Sequence, residues 1–410
     1  MGVRGVKLAA AVALLGGVAA ADAGAATRYA EPSGNGPAAT CPQSNPCDVQ
    51  VAVEHNSVAD GDKVVLLPGN YALADPLAWY TAIVITGLGP NARPTLTSSS
   101  AYAVAVGSGS VLRNVELIGN NVNAMLLISG GAVAERVIVH ATGTSGYAVF
   151  MGSDGGTAVL RDSLVTSQVP AANGWFGVLA GGGLDSPAKS VLLNTHVQTY
   201  NTAVMAYAAY GQGDLRVRNS YARSADATDL YADATNEPGG SIIRVDHSYF
   251  ATQDSIAMGQ VIEGAGNIGG VPLFVDPANG NFTQLPQSPT INAGTRHAEL
   301  GARDFYGDPR IGDGVPDIGL DETDVRDPKT TLTRKPRRSS TAERVRFRFK
   351  SDERPSTFRC TLDGGATRAC SSPFRRTLAP GRHRFAVFAI DAFGKPDPTP
   401  AKHRFRIRRR

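Results

Sequence analysis

A short β-rich segment recurs six times between residues 112 and 250, and this repeat restricts the fold more than any other feature of the chain. No single copy can bury its own apolar side chains, so neighbouring copies must stack to form a continuous core. The third positions of successive copies are 22, 26, 32, 25 and 28 residues apart. The copies align without gaps as LRNVEL (112–117), AERVIV (134–139), LRDSLV (160–165), LLNTHV (192–197), VRNSYA (217–222) and VDHSYF (245–250).

The polarity pattern within the repeat predicts an all-β fold, a right-handed parallel β-helix. The first, fourth and sixth positions are mostly apolar or small and are expected to point inward, whereas the fifth is expected to face solvent. The third position is mostly Asn or Asp, which tolerate a left-handed backbone, so it is predicted to be the bend between two strands. Leucine-rich repeats need a Leu-x-x-Leu-x-Leu frame and helical repeats need apolar spacings of three and four, and neither pattern is found in these segments.

Both ends of a stacked solenoid expose unpaired strand edges that need covering. At the N-terminal end, residues 47–56 place Val49, Ala52 and Val53 at helical spacing, which predicts a short amphipathic capping helix. At the other end, residues 266–294 contain four Pro and are predicted to form a polar, loop-rich terminal coil.

Residues 1–26 have the pattern of a signal peptide. Arg4 and Lys7 form a basic start, Leu8–Ala20 is apolar, and small residues follow, so cleavage is expected within Ala23–Ala26. The apolar stretch is too short for a membrane anchor, and no later run approaches the roughly 18 apolar residues that a spanning helix needs. The sequence therefore predicts a secreted protein, released or held at the cell surface, without a transmembrane span.

The four cysteines fall into two close pairs, Cys41 with Cys47 and Cys360 with Cys370. In an oxidising compartment this spacing favours two local disulfides, because the other two pairings require contact between distant parts of the chain. A structural zinc site is the alternative, but the sequence has no CxxC motif or nearby histidine pair.

The net charge of +4 hides a strong asymmetry along the chain. Residues 324–410 carry 24 Lys and Arg against 8 Asp and Glu, a net charge of +16, and the remainder carries 16 against 28, a net charge of −12. So sharp a change predicts two domains, a β-helix over residues 27–323 and a basic module over residues 336–410, joined by a linker at residues 324–335.

The basic module is predicted to be a small antiparallel β-sandwich. Apolar and polar residues alternate in four runs with turn residues between them, and Arg occupies many of the exposed positions. Such a surface suits anionic cell-envelope polymers. No nucleic-acid motif frames it, so nucleic acid is not an expected partner. The four runs are VRFRFK (345–350), STFRCTL (356–362), HRFAVFAI (383–390) and KHRFRIR (402–408).

Four motifs carry a family resemblance: Phe274–Pro277, Ser288–Gly294, Pro309–Arg310 and Asp317–Gly319. Their order resembles the C-terminal part of the bacterial choice-of-anchor Q group, within the secreted β-helix proteins of the pectin-lyase-like superfamily. The hairpin from Cys360 to Cys370 resembles a bacterial Ig-like module. These resemblances imply a β-helix followed by an Ig-like sandwich and a location outside the cell, but they imply no particular activity.

Because many β-helix proteins cleave acidic polysaccharides, catalytic residues were sought. The polygalacturonase motifs are absent, and Asp246-His247 is similar to the Trp-Ile-Asp-His segment of pectate lyases but lacks its Trp. The candidate catalytic residues are therefore Asp229, Asp246 and His247. Asp226, Asp229 and Asp233 form an acidic run that would supply oxygen ligands to Ca²⁺, or would be a solvated loop; no other cofactor is predicted.

The fifth repeat position supplies a candidate carbohydrate-binding strip. His196, Tyr221 and Tyr249 occupy it in three successive copies, and Arg218 lies close by in the sequence. The strip would suit sugar rings or acidic glycans; the alternative is that the rings only shield the sheet. The sequence thus predicts a binding or structural role toward polysaccharide or the cell envelope, and the competing hypothesis is a polysaccharide lyase or glycoside hydrolase.

Overall fold

The computed structural model describes residues 25–100, 102–119, 123–143, 146–153, 155–167, 175–182, 188–208, 213–235 and 240–409. Within these residues the protein is almost entirely β, with one α-helix, α1 (Val49–Glu54), and one 3₁₀ helix (Pro277–Asn279). Of the predicted signal peptide only the last two residues fall inside this description. No helix in the described ranges has the length and apolarity to cross a membrane.

The first 25 strands build the N-terminal domain. They are β1 (Thr27–Ala30), β2 (Lys63–Leu66), β3 (Asn70–Ala72), β4 (Leu77–Ala78), β5 (Val84–Gly87), β6 (Thr95–Ser98), β7 (Tyr102–Val106), β8 (Val111–Arg113), β9 (Glu116–Gly119), β10 (Ala124–Ile128), β11 (Val133–Glu135), β12 (Ile138–Ala141), β13 (Gly146–Ser153), β14 (Thr157–Arg161), β15 (Leu164–Ser167), β16 (Trp175–Gly182), β17 (Ala188–Leu193), β18 (His196–Thr199), β19 (Val204–Tyr207), β20 (Gly213–Arg218), β21 (Tyr221–Ser224), β22 (Leu230–Asp233), β23 (Ser241–Asp246), β24 (Gln253–Ile256) and β25 (Gly259–Glu263).

These strands form three parallel sheets that wind as a β-helix, which confirms the predicted fold class. Each complete coil contributes one strand to each sheet in turn, as β8, β9 and β10 do. Sheet 1 has ten strands in the order β1-β2-β5-β8-β11-β14-β17-β20-β23-β25. Sheet 2 has seven strands, from β3 to β21, and sheet 3 has eight, from β4 to β24. Neighbouring strands in a sheet come from successive coils, so every pairing is between residues far apart in sequence.

The six sequence copies occupy equivalent positions in successive coils. In sheet 1 their first positions pair directly, as Leu160 does with Leu192 and Val217 does with Val245. The third positions all have positive φ, between 45° and 55°, which confirms the predicted left-handed bend between sheet 1 and sheet 2. The column comprises Asn114, Arg136, Asp162, Asn194, Asn219 and His247.

The core is a stack of buried aliphatic and small side chains contributed by all three sheets. Leu192, Thr195 and Val197, the first, fourth and sixth positions of one copy, are all buried, as expected from the alternation. The predicted N-terminal cap is confirmed as α1, whose buried face is Val49, Ala52 and Val53.

A single side chain caps the start of α1. The Asp48 carboxylate accepts a hydrogen bond from the backbone N–H of Gln50 at 2.8 Å, which satisfies one of the donors that a helix leaves free at its N-terminus. The predicted Cys41–Cys47 disulfide lies just before this helix.

The loop-rich coil predicted for residues 266–294 extends well beyond the end of the solenoid. In residues 264–323, here called the terminal segment, Ile268 forms a bridge with Tyr249 of the last coil, and the chain then runs back along the outer face of sheet 2. Its two strands, β26 (Phe274–Asp276) and β27 (Asn281–Gln284), form an antiparallel pair. Phe282, Phe305 and Leu320 of the terminal segment pack with Leu164 of β15 in a separate hydrophobic cluster.

The C-terminal domain consists of two packed sheets that enclose a phenylalanine-rich core. Its strands are β28 (Thr330–Arg334), β29 (Ser339–Ser340), β30 (Arg344–Ser351), β31 (Thr357–Leu362), β32 (Arg368–Cys370), β33 (Phe374–Thr377), β34 (Gly381–Ile390) and β35 (Ala401–Ile407). One sheet has the order β28-β30-β33 and the other β29-β35-β34-β31-β32. All pairings are antiparallel except that of β29 with β35.

This domain confirms the predicted sandwich and the Cys360–Cys370 disulfide, which joins β31 to β32. The predicted linker was too long, because β28 lies inside residues 324–335 and pairs with β30. The alternation that marks β28 is short, and it adjoins the charged residues that suggested a linker. The Ig-like classification stays a prediction.

Candidate functional site

The aromatic column predicted as a carbohydrate strip exists, but His196 and Tyr249 are buried and Tyr221 is only partly accessible. His196 and Tyr221 have ring centroids 4.7 Å apart, and Tyr221 stacks on Tyr249 at 5.2 Å. Phe274 and Phe282 of the terminal segment cover His196 at 4.9 and 4.8 Å. The expectation of an exposed fifth position was therefore wrong here, because the pattern within a repeat cannot show that a later segment returns to cover it.

Burial controls the ionisation of this column. His196 is 1 % exposed, and neither ring nitrogen has a hydrogen-bond partner. Burial, followed by the nearby Arg310 charge, lowers the pKa of His196 to about 3. Burial also raises the pKa of Tyr221 to about 12, with the Tyr249 hydroxyl adding to the shift. Both groups are neutral near pH 7 and act as packing side chains.

A buried arginine fastens the terminal segment to the bend column. Arg310, 1 % exposed, donates through Nη1 and Nη2 to the Gly319 carbonyl at 3.0 Å each. Its Nε lies 3.3 Å from Asp162 Oδ1, and its Nη1 lies 3.9 Å from Glu322 Oε2. Arg310 belongs to the Pro-Arg motif of the family resemblance, so this motif has a structural role here.

The weak catalytic candidates Asp246 and His247 lie in a structural contact. Arg218 holds Asp246 with two hydrogen bonds, from Nε to Oδ1 at 2.7 Å and from Nη2 to Oδ2 at 2.9 Å. His247 Nδ1 lies 3.2 Å from the same Oδ1. Burial opposes ionisation of Asp246, but the hydrogen bonds from Arg218 and His247 outweigh it and lower its pKa. Arg218, predicted as a sugar contact, is thus engaged with Asp246.

The candidate calcium ligands do not converge. Asp229 is fully buried and accepts backbone hydrogen bonds from Ser224, Ala251 and Thr252 at 2.7, 2.6 and 3.1 Å. Asp226 is exposed, and Asp233 accepts two bonds from Thr235. Among the described residues these three carboxylates form no group with ligand atoms close enough to share an ion.

A groove of about 1040 Å³ lies between sheet 2 and the antiparallel pair β26–β27. One wall is the outer face of sheet 2. Its residues lie two positions after the fifth repeat position of each strand. The opposite wall is formed by β26, β27 and the loop that connects them. The polar residues that line the groove include His140, Thr166, Gln198, Tyr200, Arg223 and Asn279.

Contacts with Glu116 and Asp229 orient the titratable side chains of the groove. His140 Nδ1 lies 2.5 Å from Thr166 Oγ1, and its Nε2 lies 3.5 Å from Glu116 Oε1, where the hydrogen bond lowers the pKa of the glutamate. Arg223 Nη1 lies 3.3 Å from the buried Asp229, while its side chain remains 43 % exposed. No carboxylate belongs to the described lining, so the groove offers hydroxyl, amide, imidazole and guanidinium groups.

The strongest charged feature is the outer face of the five-stranded sheet in the sandwich. Because alternate residues of β34 and β35 face outward, five exposed cations share this surface, here called the arginine face: Arg382, Arg384, Lys402, Arg404 and Arg406. Arg382 pairs directly with Arg406 across the strands, and Arg384 pairs with Arg404. Lys335 and Arg338 border a depression of about 1040 Å³ beside the same face.

These cations lack acidic partners. In the described part of the chain none of the five has a side-chain nitrogen within 4.0 Å of a carboxylate oxygen. Asp363, which lines the depression, lies 2.8 Å from His383 Nδ1 and accepts from the backbone N–H of Arg384 at 2.8 Å. Like charges placed directly opposite on a sheet repel each other, so each pair costs about 0.2–1 kcal/mol of stability. The sequence indicated a basic module, but only the strand register places these arginines opposite one another.

Sequence reasoning missed one cluster altogether. Asp324, Glu353 and Asp391 each offer a carboxylate oxygen, and the three atoms lie within 4.8 Å of one another where the two domains meet. These residues are far apart in the chain and share no motif, so no sequence signal joins them.

Comparisons with known proteins return little. No family model and no curated protein matches the chain. Among solved structures, the crystal structure of pectate lyase Pel9A is similar at 15 % sequence identity, over 73 % of this chain and 96 % of that one, with a TM-score of 0.37.

Proposed function

We propose that this protein is exported and binds an acidic polysaccharide of the cell envelope without cleaving it, mainly through the arginine face. The observation that carries the proposal is the set of five exposed cations whose side chains have no carboxylate partner among the described residues. The signal-like N-terminus and the two disulfides support a location outside the cell. We also propose that the chain belongs to the choice-of-anchor Q group.

The geometry of the face suits a linear polyanion. Cations on neighbouring strands are separated by about 5 Å and those along one strand by about 7 Å, so they can contact successive acidic groups of one chain. Guanidinium groups form bidentate hydrogen bonds with carboxylate or sulfate oxygens. A bound polyanion would also relieve the repulsion between Arg384 and Arg404.

The groove on the β-helix is the proposed second contact, for sugar hydroxyl groups. Thr166 and Gln198 offer hydroxyl and amide groups beside Tyr221, whose ring forms part of the lining. We propose this groove in place of the aromatic strip predicted from the sequence, because His196 and Tyr249 of that strip are buried. Arg223 would bind an acidic group of the polysaccharide at this site.

The competing lyase or hydrolase hypothesis has less support from the geometry. Hydrolysis of a glycosidic bond needs two carboxyl groups about 5–9.5 Å apart across the scissile bond. Asp229 is buried under three backbone hydrogen bonds, and Asp246 is held by Arg218. The groove, which is the best place for a sugar chain, has no carboxylate in its described lining.

The test compares two double variants of the mature protein with equal charge loss. R384S/R404S removes the central pair of the arginine face, whereas R348S/R375S removes two exposed arginines of the opposite sheet. We expect retention on immobilised acidic polysaccharides, measured at fixed ionic strength, to weaken about 2- to 30-fold for R384S/R404S, at about 0.2–1 kcal/mol per exposed contact, and to change little for the control.

Two outcomes would contradict the proposal. Equal loss in both double variants would show that only net charge matters, and no retention of the wild-type protein on any acidic polysaccharide would remove the ligand class. Cleavage is followed in parallel by new reducing ends and by absorbance of unsaturated products. Their appearance, and their loss in Asp246→Ala or Asp229→Ala, would favour the enzyme hypothesis.

A further inference from the structure

The junction between the domains brings together three carboxylates from separate parts of the chain. Asp324 follows the terminal segment, Glu353 lies between β30 and β31, and Asp391 directly follows β34. One oxygen from each lies within 4.8 Å of the other two. The Glu353 side chain is 9 % exposed, Asp391 is buried and Asp324 is half-buried.

The second observation concerns the orientation of Asp391, which is only 8 % exposed. Its Oδ1 accepts hydrogen bonds from the backbone N–H groups of Phe393 and Lys395 at 2.8 and 2.9 Å. Its Oδ2 is buried and has no hydrogen-bond partner among the described residues. A buried carboxylate oxygen without a donor is costly, so this atom indicates a missing positive partner.

The protein's own cations neutralise the cluster only in part. Arg326 is 58 % exposed; its Nε lies 3.0 Å from Asp313 Oδ1 and its Nη2 lies 3.6 Å from Glu353 Oε1. Lys395 Nζ donates to the Arg326 carbonyl at 2.5 Å and lies 3.4 Å from Asp327.

Four carboxylates, including Asp313, therefore face two cations that are mainly engaged elsewhere.

We propose that Asp324, Glu353 and Asp391 bind a calcium ion that ties the sandwich to the β-helix. The donors are all oxygen atoms, and the cluster contains no histidine or cysteine that would favour zinc. Ca²⁺ accepts irregular carboxylate geometry and completes its shell with water, whereas Mg²⁺ demands a near-ideal octahedron. Sites of this kind in extracellular modules have dissociation constants of about 10⁻⁴–10⁻³ M.

The ion would act on the mechanical link between the domains. Asp324 belongs to the chain that leaves the β-helix, and the other two ligands belong to the sandwich. Binding would hold the two domains in one relative orientation, and removal would free the linker. This inference is independent of the polysaccharide proposal, because it involves neither the arginine face nor the groove.

The experiment titrates CaCl₂ into the chelator-treated mature protein by calorimetry. We expect one calcium ion per chain with a dissociation constant of about 10⁻⁴–10⁻³ M, and weaker binding of MgCl₂. Asp391→Asn keeps the oxygen that accepts from Phe393 and Lys395 but removes the charge, and we expect it to weaken calcium binding at least tenfold.

The control is D226N/D233N, which removes the charges of the exposed Asp226 and the half-buried Asp233 from the sequence-predicted calcium site. We expect it to bind calcium as the wild type does. Linker cleavage by a protease is the second readout: calcium should slow it in the wild type and in the control but not in Asp391→Asn. Absence of saturable calcium binding in the wild type, or loss of binding in D226N/D233N with retention in Asp391→Asn, would overturn the proposal.

Discussion

The two domains of this protein are both built from β-strands, yet they place their charged and aromatic residues in opposite ways. The β-helix has an aliphatic core of stacked columns, and it uses a buried arginine and an aromatic column to fasten its terminal segment. The sandwich has a phenylalanine core and carries the arginine face on its outside, where the five cations have no carboxylate partner for their side chains in the described part of the chain. Charge therefore has a structural role in the first domain and is available for ligands in the second.

The difference follows from whether the outer faces of the sheets in each domain are covered by another segment or exposed to water. A parallel solenoid exposes broad sheet faces, and here the outer face of sheet 2 is covered by the terminal segment through Arg310 and Phe282. A sandwich closes its core between two sheets and leaves both outer faces in water. Outer positions of the sandwich can therefore carry like charges that repel one another. The repulsion lowers stability, and a bound polyanion would offset it.

The largest expected effect tests the structural role of charge in the β-helix. Arg310→Met leaves Asp162 buried without its cation, and we expect the β-helix to lose about 3–5 kcal/mol of unfolding free energy. Denaturant unfolding monitored by tryptophan fluorescence reports on this domain, because both tryptophans, Trp79 and Trp175, lie in it. The exposed Arg303→Met is the matched control. A loss below about 1 kcal/mol would show that the buried ion pair does not fasten the terminal segment.

The second prediction concerns the aromatic cover of sheet 2. Phe282 is buried against His196, so Phe282→Ala should cost about 3–4 kcal/mol and admit water to the column. The pKa of His196, about 3 in the folded protein, should then move toward its usual value of 6.5. NMR titration of the imidazole measures this shift, and Val275→Ala, an exposed site on β26, is the control. An unchanged pKa would mean that the cover does not control the burial of His196.

A third prediction uses the pH dependence of the terminal segment. Burial, reinforced by Asp317, raises the pKa of Glu322 from 4.5 to about 9. The folded state keeps a proton that the unfolded state loses, so this group lowers stability as pH rises from about 4.5 to 9. The low folded pKa of His196 acts in the opposite direction, but only below pH 6.5.

In the pH range from 7.5 to 9 the effect of Glu322 dominates, because Asp304 and Asp324, whose pKa values are raised to about 7, are already mostly ionised there. The wild type should lose about 1 kcal/mol per pH unit there, and Glu322→Gln, which cannot ionise, should show a flatter profile by denaturant unfolding. Asp308→Asn, an exposed neighbour in the same segment, should behave as the wild type. Parallel profiles for wild type and Glu322→Gln would contradict the assignment.

The smallest expected effect tests the free charge on the sandwich. If Arg384 and Arg404 repel each other, R384S/R404S should raise the thermal stability of the sandwich by up to about 1 kcal/mol at low salt, and added salt should reduce the gain. Calorimetry of the mature protein, with the β-helix transition as internal reference, measures it. A loss of stability in the double variant would mean that these arginines serve the fold.

Much of the β-helix could be predicted from the sequence because its periodicity is local. The bend column from Asn114 to His247 and the inward positions of each copy depend only on which residues suit a left-handed turn or a packed interior. The same holds for α1 and for the alternation in β34 and β35. The cover over His196 and Tyr249 could not be predicted, because the repeat pattern carries no record of a segment that returns later.

By itself the sequence determined the stacking repeat, the two local disulfides, and the reversal of charge between the domains. Each of these depends on residues that are neighbours in the chain or equivalent in successive copies. Only the tertiary structure decided which outer face is covered, which arginines lie opposite each other, and where Asp324, Glu353 and Asp391 meet. Those contacts join residues tens of positions apart whose proximity depends on how finished surfaces pack, and no local pattern encodes that packing.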